Sequence, residues 1–321
     1  MKARWLPHLW GLLTPVVTLS GLYLGGWWMG ATLFLLLVIY PLVEPLLGQS
    51  SATQPLQEGP AHSIIAHLHA LCVPLVLAML LWRLSVQELD QMMLLGILSA
   101  GLSNGASGIV AAHELGHRRP KSASWWTARL SLFSVLYLHF TTEHNHTHHK
   151  HWARDVDPTS SPWGRSIYAH LLQTIPRQVA GAYRARPIDT RNVLALQGVW
   201  LISLALIGLP YVLACILQAA VAVYLLEFVN YIQHHGLRRG ENERASGTHA
   251  WESRHRLSRW TLLELPLHPS HHLKSSTPFH RLDVHDEAPK LPLGYYGMFW
   301  LALLPPLFSK LMQGQHARLQ S

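Results

Sequence analysis

The sequence contains 321 residues, of which 49% are apolar and 13% are charged, and its formal net charge is +8. Soluble domains carry about 25% charged residues, and long apolar runs cause the deficit here, so the composition argues against a soluble domain. The basic excess accompanies these apolar runs, and it therefore favours a membrane surface over a nucleic acid as its partner.

Six apolar runs predict transmembrane helices, because each has about the 17–25 residues that cross a bilayer. In chain order they cover residues 9–25, 27–47, 64–82, 92–112, 193–209 and 213–231. We therefore expect an all-α integral membrane protein with six transmembrane helices. Together they form a single membrane-embedded catalytic domain over residues 1–321.

The distribution of basic residues predicts the orientation. With the N-terminus in the cytoplasm, Arg83 is the only one of 25 Lys and Arg residues in an outer loop. This asymmetry predicts that both termini are cytoplasmic, together with the regions 113–192 and 232–321. Within these regions, residues 125–140 predict a partly buried helix. Residues 291–308 contain three prolines and predict an interfacial or re-entrant segment.

Of the 23 histidines, eight lie between His113 and His151 and nine between His234 and His285, and four groups stand out. Several members are spaced to share one helix face, whereas His146 points elsewhere. The groups hold His113 and His117; His144, His148 and His149; His234 and His235; and His268, His271 and His272. Imidazole suits Zn, Fe, Cu and Ni. The number of rings exceeds what one tetrahedral zinc uses, so we expect two metals or a set of loosely bound ions.

Two other classes of protein are less compatible with these residues. The stretch HELGH at 113–117 fits the H-E-x-x-H motif of zinc proteases. An intramembrane protease is expected to supply an Asp from a later span, and the last two predicted spans contain only Glu227 as a carboxylate. A metal transporter needs polar residues through its spans, and Glu44 and Glu227 are the main ones.

In this order, HELGHR, EHNHTHH, NYIQHHGL and LPLHPSHH resemble the motifs of the membrane-bound alkane monooxygenase (alkane hydroxylase) family. That family belongs to the histidine-rich di-iron membrane oxygenases and desaturases. WESRH at 251–255 and LPLGYYGMF at 291–299 extend the resemblance over about residues 104–305. It implies nine metal ligands, namely His113, His117, His144, His148, His149, His234, His268, His271 and His272. Thr147, Gln233 and Leu267 depart from the family motifs, which weakens the case for a simple n-alkane substrate.

The resemblance implies two non-haem iron ions and O2-dependent hydroxylation of a terminal methyl group, on an n-alkane or alkyl chain, to a primary alcohol. It also implies a bacterial inner-membrane location. An alkylbenzene methyl hydroxylase, a fatty-acid desaturase and a fatty-acid decarboxylase that forms terminal alkenes remain alternatives. The chain contains no nucleotide fingerprint and no cysteine ligands for an iron–sulfur centre. The electron donor is therefore separate, and in this family it is usually rubredoxin with an NAD(P)H-dependent reductase.

Further residues are candidates for supporting roles. Glu114 and Glu143 lie beside implied ligands and are candidate acceptors for histidine N–H groups, and His235 and His255 are candidate neighbours of the metals. Six arginines form a candidate docking face for an acidic carrier, although they also suit the positive-inside topology. They are Arg118, Arg119, Arg154, Arg238, Arg239 and Arg244. Trp27 and Trp28 are candidates for limiting how far a substrate enters from the bilayer, with interfacial anchoring as the favoured interpretation.

Overall fold

The computed structural model describes residues 5–52 and 60–317, which are helical except for turns, loops and two isolated β-bridges. The helices are α1 (Leu13–Leu24), α2 (Gly26–Leu47), α3 (Pro60–Val86), α4 (Gln91–Gly116), α5 (Ala123–Ser134), α6 (140–151), α7 (Ile167–Ala185), α8 (Pro187–Ile207), α9 (Leu209–His234), α10 (Arg256–Thr261), α11 (His268–Leu273), α12 (Tyr295–Ala302) and α13 (Pro305–Ala317). Short 3₁₀ helices cover Leu6–Leu12, Gly247–His249 and Phe279–Arg281.

Five of these helices are long and apolar enough to cross a bilayer: α2, α3, α4, α8 and α9. They correspond to the second to sixth predicted spans. The first predicted span, 9–25, begins as the 3₁₀ helix Leu6–Leu12, and α1 continues it for only 12 residues. At about 1.5 Å per residue, α1 alone is shorter than the hydrocarbon core of roughly 30 Å. Hydropathy predicts apolar length here but not helix type.

The segment 6–24 nevertheless runs alongside α3. A Cβ atom added to Gly11 would lie 2.4 Å from the His69 ring, and one added to Gly25 would meet the Arg83 guanidinium. His69 and Arg83 lie towards opposite ends of α3. The segment 6–24 therefore runs beside α3 from near His69 to near Arg83.

Close packing between α4 and α9 positions the ends that carry histidines. A Cβ atom added to Gly101 would lie 2.5 Å from Val221 Cβ, and one added to Gly105 would lie 2.9 Å from Leu225 Cβ. The spacing of the two glycines is the small-xxx-small pattern that lets helices approach closely in membranes. Because α4 ends near His113 and α9 ends at His234, this contact holds both chain segments at one level.

The two shorter apolar stretches form short helices. The partly buried helix predicted at 125–140 is α5, which begins after Ser122, whose hydroxyl accepts a hydrogen bond from the Trp125 amide. Its Ala128 and Leu132 side chains are fully buried. The stretch 291–308 contributes α12 and the start of α13, which Pro305 opens. With 8 and 13 residues, neither helix is long enough to span the bilayer.

Candidate metal centre

The nine histidines that the sequence motifs single out come from four separate segments and form two adjacent groups. His113 lies in the last turns of α4 and His117 directly follows that helix; the others lie on α6, α9 and α11. The five-histidine cluster consists of His113, His117, His144, His149 and His271. The four-histidine cluster consists of His148, His234, His268 and His272. Within each cluster, one ring nitrogen per residue lies within 4.8 Å of all the others.

A π-helical turn in α6 divides its histidines between the clusters. An α-helix would place His144 and His148 on one face, as the sequence spacing predicts, but residues His144–His148 form a π-helix. A π turn places residues i and i+5 one above the other. The Nε2 atoms of His144 and His149 are accordingly 3.0 Å apart, whereas His148 Nε2 lies 3.2 Å from His272 Nε2 in the other cluster. The predicted pairing of His144 with His148 on one α-helical face is therefore wrong. His146 lies outside both clusters and contacts Arg186.

Helix α11 is also shared between the clusters. His268 and His272 are one turn apart, and their Nε2 atoms are separated by 2.8 Å. His271 points to the other side, where its Nε2 lies 3.1 Å from His149 Nε2. Because α6 and α11 each contribute to both clusters, neither cluster can move independently of the other.

The donor atoms fit bound cations. Neighbouring ring nitrogens face each other at about 3 Å, the separation expected for ligands that share one ion through bonds of about 2.1 Å. Burial, reinforced by mutual repulsion among the rings, lowers the pKa of His144, His149, His268, His271 and His272 well below the ordinary value. Burial likewise lowers the pKa of His117 to about 3. Neutral imidazole is the metal-binding form, so the clusters form a metal-binding site.

A carboxylate that the sequence motifs do not reveal supports the four-histidine cluster. His148 Nδ1 lies 3.1 Å from Asp157 Oδ1 and 2.6 Å from Thr159 Oγ1, while the Ser160 hydroxyl donates to Asp157 Oδ2 over 2.6 Å. Burial alone would raise the pKa of Asp157, but the contacts with His148 and Ser160 and the nearby His234 together hold that pKa well below its usual range. A proton fixed on Nδ1 directs His148 Nε2 towards the cluster. The signal in the sequence is the hydroxyl-rich stretch DPTSS at 157–161.

Among the described residues, no hydrogen bond joins the two predicted supporting carboxylates to a clustered histidine. Glu114 pairs with Arg118. Glu143 is fully buried beside His144, and its carboxylate oxygens have no hydrogen-bond partner among the described residues. Burial, together with the Asp157 and Glu227 carboxylates, raises the pKa of Glu143.

The two additional histidines also lie outside the clusters. The His235 ring packs against Trp163 and Tyr231. His255 contacts the Ser253 hydroxyl and the Gln49 amide. Neither ring contacts one of the nine clustered histidines within the described part of the chain.

An apolar cavity of about 70 Å³ is lined by rings from both clusters. It lies between α2, α4, α9 and α12, and its aliphatic and aromatic walls include Leu36, Leu102, Ile109, Leu225 and Phe299. His113 and His144 of the five-histidine cluster and His268 of the four-histidine cluster are part of its lining. A single water needs only about 10–15 Å³, so the cavity has room for a larger apolar group beside the metal site.

Trp27 and Trp28 do not line this cavity. Their side chains are 80% and 64% exposed on the 3₁₀ turn that opens α2. The cavity is instead lined by Leu36 and Leu37, two to three turns further along the same helix. The exposure of Trp27 and Trp28 agrees with the interfacial interpretation. These two side chains do not limit substrate entry in this cavity.

The six arginines of the candidate docking face fall into two groups. Arg118 pairs with Glu114, and Arg119 follows it on an exposed loop. The other group combines the loop after α6 with the loop after α9, because Arg239 Nε donates to the Trp152 carbonyl and Arg154 donates to the Glu241 carbonyl. Arg154, Arg238 and Arg239 therefore join these two loops, since Arg238 also donates to the Asp155 carboxylate.

Comparison with known proteins gives consistent matches over most of the chain. The fatty acid desaturase family model matches residues 91–302. Alkane 1-monooxygenase 1 of Alcanivorax borkumensis is 31% identical over 95% of this chain and 83% of its own length. Alkane 1-monooxygenase 1 of Pseudomonas aeruginosa is 33% identical over 85% of this chain and 79% of its own. The xylene/toluene monooxygenase hydroxylase component XylM of Pseudomonas putida is 27% identical over 94% and 86%.

Proposed function

The chain belongs to the fatty acid desaturase family, and from that premise we propose that it is a membrane oxidoreductase that hydroxylates the terminal methyl group of an apolar substrate. Its relatives include several alkane 1-monooxygenases. One observation carries the proposal: an apolar cavity is lined by rings from two adjacent clusters of histidines. This arrangement brings an apolar group to a metal site that excludes most water.

The nine histidines are proposed as ligands of two iron ions, one in each cluster. Bound iron supplies the redox capacity that C–H oxygenation needs and that zinc lacks. The reaction consumes O2, two electrons and two protons for each methyl group, and it yields a primary alcohol and one water. A zinc peptidase site uses three protein ligands and a water, so a cluster of five histidines argues against the protease alternative.

The chain's own residues have three tasks in this proposal. The apolar cavity walls bind the alkyl group and keep water away from it. The lining rings of His113, His144 and His268 place the terminal carbon beside both clusters. Asp157 holds the Nδ1 proton of His148, which fixes the direction of its Nε2 atom.

We further propose six spans in the bacterial inner membrane, with both clusters on the cytoplasmic side and residues 1–321 as one catalytic domain. The segment 6–24 supports the first span, and so a total of six, because it runs alongside α3 from near His69 to near Arg83. The basic residues support the orientation, since Arg83 is the only Lys or Arg in the predicted outer loops. The chain termini at 1–4 and 318–321, proposed to be cytoplasmic, lie outside the described residues.

The electrons come from a separate donor, which we propose to be rubredoxin reduced by an NAD(P)H-dependent reductase. The described residues form helices and loops without a nucleotide-binding sheet, and Cys72 and Cys215 are separate free thiols inside helices. An acidic carrier suits the basic loops on the cluster side of the molecule.

A product screen tests the proposal directly. Membranes that contain the protein, supplied with rubredoxin, reductase and NADH, should convert octane or dodecane to the 1-alcohol only when O2 is present. The purified protein should contain two iron ions per chain. Zinc without iron, or alcohol formation without O2, would contradict the proposal. Terminal alkenes or unsaturated acids formed from fatty acids would move the assignment to a decarboxylase or a desaturase.

A second candidate substrate is the methyl group of an alkylbenzene, because the similarity to XylM covers 94% of this chain. The chemistry at the methyl carbon is the same, and only the body of the substrate differs. Parallel assays with octane and m-xylene separate the two. Faster conversion of m-xylene at equal saturation would favour the alkylbenzene.

A further inference from the structure

One side of the four-histidine cluster is covered by a tryptophan that the proposed chemistry does not use. Trp152 is only 2% exposed, and its ring stacks on His272 with centroids 4.4 Å apart and an interplanar angle of 23°. The same ring meets His234 edge-on at 6.2 Å. Trp152 therefore contacts two of the four rings of this cluster. It does not line the apolar cavity, which reaches this cluster at His268.

The other side of Trp152 faces the molecular surface through Arg239. The guanidinium lies 5.8 Å from the centroid of the Trp152 ring, and its Nε donates to the Trp152 carbonyl over 2.8 Å. Its remaining nitrogens donate to the carbonyls of Lys150 and Glu243 at 3.3 Å. These bonds hold Arg239 in place, so Trp152 and Arg239 together lie between the cluster and the surface at this point.

The surface around Arg239 is basic. Arg239 and four other cationic side chains lie on the two chain segments that meet here, residues 150–155 and 238–244, together with three carboxylates. The cations are Lys150, Arg154, Arg238, Arg239 and Arg244, and the carboxylates are Asp155, Glu241 and Glu243. Lys150 and Arg244 are exposed and have no ion pair among the described residues. Such a patch attracts a partner of opposite charge and accelerates its association.

The geometry points to Trp152 as the electron-entry residue of this protein, and to the basic patch over it as the docking surface for an acidic one-electron carrier protein. This inference rests on the proposed function and names the route by which its electrons arrive. Substrate reaches the clusters from the membrane side through the cavity, and electrons reach them from the opposite side through Trp152 and His272.

The electron balance of the reaction sets what this route must carry. Each turnover takes two electrons, which two reduced carriers deliver one at a time and are thereby oxidised. No bond to Trp152 forms or breaks. The Arg239 charge over the ring disfavours a tryptophan cation, so the ring serves as the medium through which the electron passes.

Anaerobic stopped-flow mixing with reduced rubredoxin tests the route, because the visible absorbance of oxidised rubredoxin reports electron transfer without substrate turnover. In Trp152→Leu, the rate at saturating rubredoxin should fall about tenfold, the scale of losses seen when groups next to metal ligands are removed. Reduction by dithionite should keep its rate and the iron content should stay unchanged. Trp152→Phe keeps a stacked ring and should restore most of the rubredoxin-driven rate.

Other outcomes overturn this inference. A Trp152→Leu protein that takes electrons from rubredoxin at the normal rate excludes the route. Equal slowing with rubredoxin and dithionite, or loss of iron, shows that Trp152 only packs against His272. If the leucine variant does not fold, equal slowing in Trp152→Phe leads to the same conclusion. Trp126→Leu, at an exposed position on α5, is the matched control and should change neither rate.

Binding to the metal-free protein tests the docking surface independently of turnover. Lys150→Gln with Arg244→Gln should weaken rubredoxin binding in calorimetry several-fold and should reduce its salt dependence. Arg119→Gln with Lys121→Asn removes the same charge elsewhere on this side, and Asn suits the positive φ of Lys121. Equal weakening in both double variants would exclude this patch as the docking surface.

The proposed function and this inference fail in different ways. A protein that is reduced with dithionite without air, freed of excess reductant and then mixed with octane and O2, and that still makes no alcohol, fails the proposed function. A protein that makes alcohol, but whose Trp152 and patch variants accept electrons normally from rubredoxin, fails only this inference.

Discussion

Both histidine clusters offer ring nitrogens as ligands, but they differ in the number of rings, in the exposure of these rings and in the hydrogen bonds behind them. In the five-histidine cluster, His117 and His149 are partly exposed, whereas all members of the four-histidine cluster are buried. Among the described residues, only the four-histidine cluster has a ring that is hydrogen-bonded to a carboxylate, through the contact of His148 with Asp157. The five-histidine cluster therefore has one ring more than four ligands require. The four-histidine cluster needs all its rings, and the Asp157 contact that orients His148.

Removal of one donor should affect the clusters unequally, and this is the largest effect that we expect. His234→Ala leaves three donors in a closed, buried site, so this cluster should lose its ion and alcohol formation should fall below detection. His117→Ala leaves four donors and should retain more metal than His234→Ala does. Iron analysis of the purified variants, together with gas chromatography of the products, measures both effects.

His146→Ala is the control for these variants, because His146 lies on the π-helix that carries His144 and His148 but contacts Arg186 outside the clusters. It should keep its iron and most of its activity. Loss of iron from His146→Ala would show that the division of α6 at the π turn is incorrect. Equal iron loss in His234→Ala and His117→Ala would remove the difference between the clusters.

The support behind His148 predicts the next largest effect. Asp157→Asn keeps the size of the side chain but removes the charge that holds the Nδ1 proton of His148. Loss of such a partner lowers metal affinity or activity by about 10–100-fold. Titration of the metal-free variant with Fe(II) should show weaker binding of one ion and normal binding of the other. Weakening of both ions to the same degree would mean that Asp157 does not act on one cluster.

The sequence motifs predict which histidines meet, but not how they divide. The motif EHNHTHH predicts an α-helical pairing of His144 with His148, and only the π turn moves His148 to the other cluster. That turn depends on packing between α6 and its neighbours, which residue spacing does not reveal. Asp157 was missed for a related reason, since a loop returns it to His148 and no periodic pattern marks the contact.

The prediction of the fold from the sequence has the same limit. Apolar length predicts the five long helices, because each must satisfy its own backbone in the bilayer. It does not distinguish the 3₁₀ segment Leu6–Leu12 from α-helix, and the predicted first span therefore differs most from the structure. The cavity could not be predicted either, since its walls combine residues as distant in sequence as Leu36, Ala106 and Phe299.

The cavity contacts the five-histidine cluster through two rings and the four-histidine cluster through one, so a change in its shape should alter selectivity before it alters metal binding. Ala106→Phe adds a ring to the wall that α4 contributes. Conversion of dodecane should fall about tenfold relative to octane, on the scale by which pocket contacts discriminate substrates. Competition between the two alkanes, followed by gas chromatography, measures the ratio.

Trp27→Ser is the control for Ala106→Phe, because the Trp27 side chain is 80% exposed and does not line the cavity. It should leave the dodecane-to-octane ratio unchanged. A shift in this ratio for Trp27→Ser, with none for Ala106→Phe, would place the chain-length limit near the start of α2.

The smallest effect is expected at Glu114, and it tests whether the five-histidine cluster truly lacks carboxylate support. Glu114 follows His113 directly in the chain, yet its carboxylate pairs with Arg118 instead of with a histidine ring. Arg118 is 34% exposed and can turn to water when its partner becomes neutral. Glu114→Gln should therefore change alcohol formation and Fe(II) affinity by less than about threefold, below the 10–100-fold range for partners of metal ligands. A loss as large as that of Asp157→Asn would mean that Glu114 supports His113 in the metal-bound protein, and the two clusters would then be equally supported.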